Sequence, residues 1–305
     1  MDDGITLENE YWTLQIWPQW GANPGQLRHV PSGNNLLRWP NDVQRLYQEP
    51  YLFGMPLLFP AGRIAGGTCE IDGERWQWPQ NDSAGPNHLH GFLWNQPFRV
   101  QELSATQCVL FPAPVTHNIL TREMHQPIFL AIYYILRGTA VEMRVCFINQ
   151  GSRAVPFGFG YHLNIALNTA WQVTLPAGRP WIMGSDIMPL RLASVHDALI
   201  PELSQSAIDP RNLVCDVCYT VSALDQNRLN LWDPDRGTRL VLRAPLPFRH
   251  WVMYRPHTSA DFVSIEPYTW LHNAPNLPWD PSLTGMRMLQ PGERVDTWLT
   301  WECTP

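Results

Sequence analysis

Four polar residues stand where apolar, strand-like runs of this sequence end: Arg63 in GRIAGG, His90 in HLHGF, His162 in FGFGYHLN and Glu266 in SIEPYTWLHNAPN. Glu266 is the most telling. Phe262, Val263 and Ile265 are strand formers, the carboxylate follows at once, and Pro267 has no amide hydrogen to donate, so the ladder is expected to end there. Taken singly, each residue has a plainer reading, as a strand-ending surface acid, a turn arginine or a histidine with its hydrogen bonds satisfied. Taken together they supply chemistry. A carboxylate and a histidine facing one substrate form a general base and a general acid, each worth ~10²- to 10⁴-fold when positioned. His88, two residues before His90, shares a face with it if the chain there is extended.

To bring such positions together, the chain must end several strands at one mouth. Residues 11–17 (YWTLQIW) alternate as a half-buried strand, and 20–29 pair back on them before the turn at Pro31, Ser32, Gly33 and Asn34. Asp72, Gly73 and Glu74 carry a hairpin signal between 68–71 and 75–78. Arg137, Gly138 and Thr139 join the long runs 128–136 and 141–149, and 233–237 join 229–232 to 238–243. Further strand-like runs are 214–221, 250–254, 262–265 and 295–301, and a short helix is predicted near 197–203. Strand follows strand with no helical crossover, which favours an all-β fold of antiparallel sheets packed as a sandwich.

The 305 residues are read as a single domain, 1–305. With 29 Pro, 20 Gly and 11% aromatics, the composition fits many short strands, and 45% hydrophobic against 16% charged residues excludes disorder. The net charge of -6 and the scattered placing of the 21 cationic residues, all arginine, argue against nucleic acid as a partner. The start, MDDGITLENEYW, lacks a basic stretch followed by an apolar run, and nothing approaches the ~18 uninterrupted apolar residues of a membrane span, so no membrane association and a cytoplasmic location are expected. Six cysteines are no disulfide scaffold at this length. Cys215 and Cys218 in LVCDVCYTV point to opposite faces of a strand and read as buried structural thiols.

Arg63 in GRIAGG, His90-Gly91 in HLHGF, His162 in FGFGYHLN, Asp216 in LVCDVCYTV and Glu266 in SIEPYTWLHNAPN, in that order, resemble the motif series of the aldose 1-epimerase (galactose mutarotase-like) family. The stretch LENEYWTLQIWPQWGANPGQLRHVPSG resembles that family's opening hairpin. The resemblance implies a single-domain antiparallel β-supersandwich that interconverts the α and β anomers of a small-molecule sugar without metal or other cofactor; a monomer or homodimer is expected. It implies Glu266 as the base that takes the proton of the anomeric hydroxyl and His162 as the acid that protonates the ring oxygen. His90 and Arg63 would bind hydroxyls and stabilise developing charge, and Asp216 would hold a distal hydroxyl. A carboxylate near His162 would favour its protonated form. Trp94, Tyr161 and Trp270 lie beside these positions and are available to stack on a sugar face; Trp94 and His88 are included among the substrate-binding candidates. Leu163, Asn164 and Ile165 follow His162 where the galactose-specific branch has a hydroxyl residue and an aromatic, so the chain looks more like the broader aldose 1-epimerase-like branch.

Three other readings compete. A hexose-6-phosphate 1-epimerase needs cations for the phosphate, with Arg63, Arg122, Arg249 and Arg255 as candidates. A cupin-type metal enzyme would use His88, His90 and His162, but Trp94 and Asn95 stand where an acidic ligand belongs. A non-catalytic carbohydrate-binding protein would have no need of both His162 and Glu266.

Overall fold

A computed structural model describes residues 4–42, 44–194 and 207–304; the helix expected near 197–203 lies outside them. The expected all-β sandwich is present. Two eight-stranded sheets form the body, and every pairing between their strands is antiparallel. The first runs, edge to edge, Gln172–Thr174, Arg228–Asp233, Thr238–Arg243, Arg294–Thr304, Ala140–Asn149, Ile128–Arg137, Gln107–Pro112 and Phe98–Leu103. The second runs Pro189–Leu192, Gly178–Met183, Cys215–Val221, His250–Arg255, Phe262–Tyr268, Gly160–Tyr161 and Leu57–Leu58, with Leu163–Ala166 also paired to Phe262–Tyr268.

The hairpin signals act where they stand. Ile128–Arg137 pairs Ala140–Asn149, Arg228–Asp233 pairs Thr238–Arg243, and Thr68–Ile71 pairs Glu74–Gln77. In the last of these, Asp72 and Gly73 both take positive φ, 52° and 77°, as a tight two-residue hairpin turn demands. Trp12–Trp17 pairs Asn23–His29 as expected, and Ile5–Glu8 adds a third strand. The helix Pro114–Glu123 breaks the strand succession between Gln107–Pro112 and Ile128–Arg137; it opens on proline, whose missing N–H costs nothing in a first turn. No helix among the described residues is long and apolar enough to cross a membrane.

Aromatic packing joins the sheets. Phe147, fully buried in the first sheet, has its ring 4.8 Å from Phe59, 5.2 Å from Phe157 and 5.2 Å from Phe159. Tyr161 and Trp270 are fully buried too, Tyr161 against Phe159 and Phe248, and Trp270 with its indole N–H donated to the Ala61 carbonyl. Both are core residues, unavailable for stacking on a ligand. Cys215 and Cys218 are free thiols, and burial pushes the Cys215 thiol up to about 11.

Candidate active site

Strand register decides which side chains meet. Phe262–Tyr268 is buried along its whole length, and Glu266 sits inside it, not at its end as the proline had suggested. The ladder continues through Trp251 opposite Pro267 to His250 opposite Tyr268. Pro267 withholds one hydrogen bond without stopping the strand, because ladder partners alternate between the two flanking strands. On its other side, Gly160 opposes Tyr268 and Leu163 opposes Ile265 in one unbroken register, which puts His162 opposite Glu266. Residues opposed across an antiparallel pair share a face. The same rule carries outward: Val252 opposes Glu266 and Tyr254 opposes Ser264, while Asp216 opposes Tyr254 one strand further on. His162, Glu266, Tyr268, Tyr254 and Asp216 therefore stand on one face of the second sheet.

Loops close over that face. Arg63–Ala65 pairs Asn87–Leu89, and the segment after Glu266 grips it: the Arg63 amide donates to His272 Nδ1 at 3.1 Å, and the Asn273 amide donates to the Arg63 carbonyl at 2.6 Å. The Arg63 guanidinium donates through Nε to Asp82 Oδ2 at 2.9 Å. His88 and His90 do not share a face. His90 takes φ +60° and Gly91 φ +72°, and a Cβ on Gly91 would lie 2.0 Å from the Phe59 carbonyl oxygen, so the chain turns sharply there. His88 is left packed on Trp78 and Phe92 with Nδ1 2.8 Å from the Pro79 carbonyl, whereas the His90 ring swings to within 5.2 Å of His162.

The result is a cleft of about 620 Å³ whose lining includes Arg63, His90, His162, Asp216 and Glu266, five of the seven candidates. His88 and Trp94 stand outside the lining. Trp94 backs Tyr51, ring to ring at 4.6 Å, and it is Tyr51 that reaches the cleft, 4.7 Å from the His90 ring. Asp82, Tyr254, Tyr268 and His272 also line it. Tyr51 was beyond sequence reasoning, since it projects from a loop at φ +69° with no periodicity around it. Tyr254 and Tyr268 follow from strand alternation once the partners of Asp216 and Glu266 are known.

Arg38 ties the loop wall to the sheet. It is 7% exposed, pairs with Glu49 at 2.9 Å, donates to the Leu52 carbonyl at 2.9 Å, and lies over the Phe53 and Phe262 rings at 4.1 and 4.4 Å. Its Nε is 2.8 Å from Asp261 Oδ1, without hydrogen-bond alignment.

Asn164 fixes the proton positions. Its amide nitrogen donates to the carbonyls of Tyr51, Gly54 and His162, so its Oδ1 is the acceptor and takes Ser264 Oγ–H at 2.7 Å and His162 Nδ1–H at 3.1 Å. With Nδ1 carrying a hydrogen, His162 Nε2 faces Glu266 Oε1 at 3.4 Å. Tyr268 O–H donates to the other carboxylate oxygen. Burial pushes Glu266 up to about 8, against the Tyr268 hydrogen bond, and pushes His162 down to about 3, against the Asn164 hydrogen bond. Burial thus favours the neutral imidazole, contrary to the expectation of a protonated histidine. Both shifts favour the uncharged pair, in which a single proton lies on Glu266. Neutral His162 with protonated Glu266, and imidazolium with carboxylate, are two placements of that proton across a single contact. Burial also drives His90 well below its ordinary value and raises Asp216.

One donor atom each from His90, His162 and Glu266 lies within 4.8 Å of the others. The histidine set His88, His90 and His162 of a cupin-type centre is not assembled, since His88 faces away.

Comparison with known proteins gives one consistent picture. A family model described as aldose 1-epimerase matches residues 3–301. The uncharacterized protein YihR of Escherichia coli K12 is 25% identical over 181 residues, 57% of this chain and 50% of that protein, so the chain spans about half the length of this curated relative. A galactose mutarotase-like protein from Clostridium acetobutylicum is 18% identical with a TM-score of 0.89, over 99% of this chain and 95% of that one. A putative aldose 1-epimerase from Escherichia coli K12 is 16% identical with a TM-score of 0.79, over 99% and 98%. The GalM/aldose epimerase homologue from C. elegans is 15% identical with a TM-score of 0.79, over 99% and 98%. At these identities the structural likeness speaks for the fold.

Proposed function

The chain belongs to the aldose 1-epimerase family, and on that footing we propose that it interconverts the α and β anomers of an unphosphorylated aldose, with Glu266 as base and His162 as acid. The observation that supports this is the opposed pair, His162 Nε2 and Glu266 Oε1, 3.4 Å apart in a cleft. Opening a cyclic hemiacetal removes a proton from the anomeric hydroxyl and delivers one to the ring oxygen. Both oxygens are bonded to the same carbon, so a base and an acid a few ångströms apart serve both. A sugar that offers its hydroxyl to Glu266 and its ring oxygen to His162 selects the imidazolium–carboxylate placement of the shared proton. Glu266 takes the hydroxyl proton, His162 Nε2–H goes to the ring oxygen, rotation about the C1–C2 bond turns the aldehyde, and reclosure reverses both transfers. The net proton count never changes.

Arg63, held in place by Asp82, and His90 would bind hydroxyls and offset charge on the opening ring. Asp216 lies two strands from Glu266 on the same face, roughly 10 Å by strand spacing, which suits a distal hydroxyl of a pyranose. Arginine placement favours a sugar without phosphate. Arg63 is the one arginine among the described residues that line the cleft, and it is already paired. Arg122 pairs with Glu123, Arg249 donates to the Ser282 carbonyl, and Arg255 is spent on the carbonyls of Arg211, Leu213, Thr258 and Ala260. Residues 195–206 contain no arginine or lysine.

The test is anomer exchange followed by NMR or polarimetry over free aldoses and their 6-phosphates. Acceleration for at least one free aldose, weaker for its phosphate, is expected. A protein that binds sugars without speeding exchange in any of them is a carbohydrate-binding protein and not an isomerase.

A further inference from the structure

Among the histidines of the cleft, His90 is set apart by what it does not bond. His162 and His272 each commit a ring nitrogen to a protein partner, Asn164 Oδ1 and the Arg63 amide. His90 is 6% exposed, its Nδ1 is buried with no partner, and neither of its ring nitrogens makes a hydrogen bond among the described residues. Burying an unspent nitrogen is unfavourable unless something binds there. Its neighbours are His162 and Glu266, and one donor atom of each of the three residues lies within 4.8 Å of the other two.

Two imidazoles and a carboxylate are nitrogen and oxygen donors suited to Zn²⁺, which binds them at roughly 2.0–2.2 Å with tetrahedral angles, so neighbouring donors sit roughly 3.3 Å apart. His162 Nε2 and Glu266 Oε1, at 3.4 Å, already have that spacing. His90 has no hydrogen bond to break in closing the remaining gap. All three residues line the cleft, which leaves room for water as a fourth ligand. The charge of Arg63, the one arginine of the lining among the described residues, is drawn off by Asp82 at 2.9 Å, and Asp216 adds a further acid to the same cleft.

We propose that His90, His162 and Glu266 form a binding site for a divalent transition ion, Zn²⁺ fitting best, and that the bound ion shuts the site down by occupying the acid, the base and a hydroxyl-binding group together. The binding half of this stands on geometry alone; the inhibition rests on the isomerase reading above.

The protein is stripped with a chelator and titrated with Zn²⁺ by calorimetry and with Co²⁺ by visible absorption, both without sugar. One equivalent is expected to bind, with the intense visible bands of low-coordinate Co²⁺, and Glu266→Gln and His90→Asn are each expected to weaken binding at least tenfold while keeping the wild-type circular dichroism. Zn²⁺ at saturation is expected to slow anomer exchange at least tenfold, with sugar competing and chelator restoring the rate. Absence of binding, or binding equally tight in both variants, overturns the site whether or not exchange is seen. Exchange lost in chelator and restored by Zn²⁺ overturns the inhibitory role. A protein that binds Zn²⁺ at these residues but catalyses no exchange keeps the metal site and loses the isomerase reading.

Discussion

The two eight-stranded sheets use the same alternation of side chains to opposite ends. In the first, Ile128–Arg137, Ala140–Asn149 and Arg294–Thr304 run ten, ten and eleven residues, and their outward positions carry surface ion pairs: Arg137 with Glu142, Arg144 with Asp296, and Arg243 with Glu302 across to the neighbouring strand. Water shares the burden of those charges. In the second sheet, loops cover the outer face as well, so Glu266, Ser264, Asn164 and His162 are buried and must find partners within the protein. They do so in one network, Ser264 and His162 on Asn164 and Tyr268 on Glu266. The outward ion-pair positions of the first sheet are therefore replaceable and the buried polar positions of the second are not, because an unpaired buried polar group costs about 1–3 kcal/mol where an exposed one costs almost nothing.

The largest effect that would test this division is Glu266→Gln, which should lower anomer exchange by ~10²- to 10⁴-fold with no loss of melting temperature, since it replaces a carboxyl that burial already holds towards its neutral form. Near-wild-type exchange would mean that the polar face of the second sheet is structural. Phe147→Ala is the converse. It should cost about 3–5 kcal/mol in chemical denaturation, because the ring is wedged among Phe59, Phe157 and Phe159, yet leave the rate per folded molecule within a few-fold. Asn164→Ala should do both at once, roughly tenfold in exchange through the lost hold on His162 Nδ1, and about 1–3 kcal/mol through the carbonyls of Tyr51 and His162 and the Ser264 hydroxyl, which lose their side-chain partner.

Acid should separate the sheets too. Burial holds His162, His250 and His272 down to about 3, below their unfolded value near 6.5. The unfolded chain therefore takes up protons first, and stability present above pH 6.5 drains away as the pH falls towards 3. All three line or adjoin the second sheet. Thermal melts between pH 7 and pH 4 should show a steep decline that His250→Asn or His272→Asn partly relieves. The smallest effect belongs to Arg243→Ala. Its ion pair with Glu302 is solvent-exposed and worth no more than about 1 kcal/mol, and neither melting nor exchange should register more than that.

Much of this was legible in the chain. The turn residues at 72–74, 137–139 and 233–237 announced three hairpins because glycine and aspartate there answer to a local demand. Arg63, His90, His162, Asp216 and Glu266 meet through the register of one sheet face and the loops over it, not through strand ends. What failed was what distant partners decide. Pro267 was read as a stop, yet a proline forfeits only one ladder bond when neighbours hold both sides. His88 and His90 were read as a pair, yet the carbonyl of Phe59 forces the turn that parts them. Trp94, a candidate to stack on a sugar, instead backs Tyr51, some forty residues earlier in the chain, and it is Tyr51 that lines the cleft. Nothing in residues 49–54 foretells that loop, whose conformation is set by Arg38 and Asn164.

Arg38 has a last consequence. Of its two acids, Glu49 is 30% exposed and Asp261 is 66% exposed, so dissolved salt reaches the second far more easily than the first. At an ionic strength of 1 M, where charges are screened beyond roughly 3 Å, the Asp261 contact weakens while the one to Glu49 persists. The loop that carries Tyr51 would then slacken against the start of the Glu266 strand, and the wall of a deeply buried site would answer to the ionic medium outside the molecule.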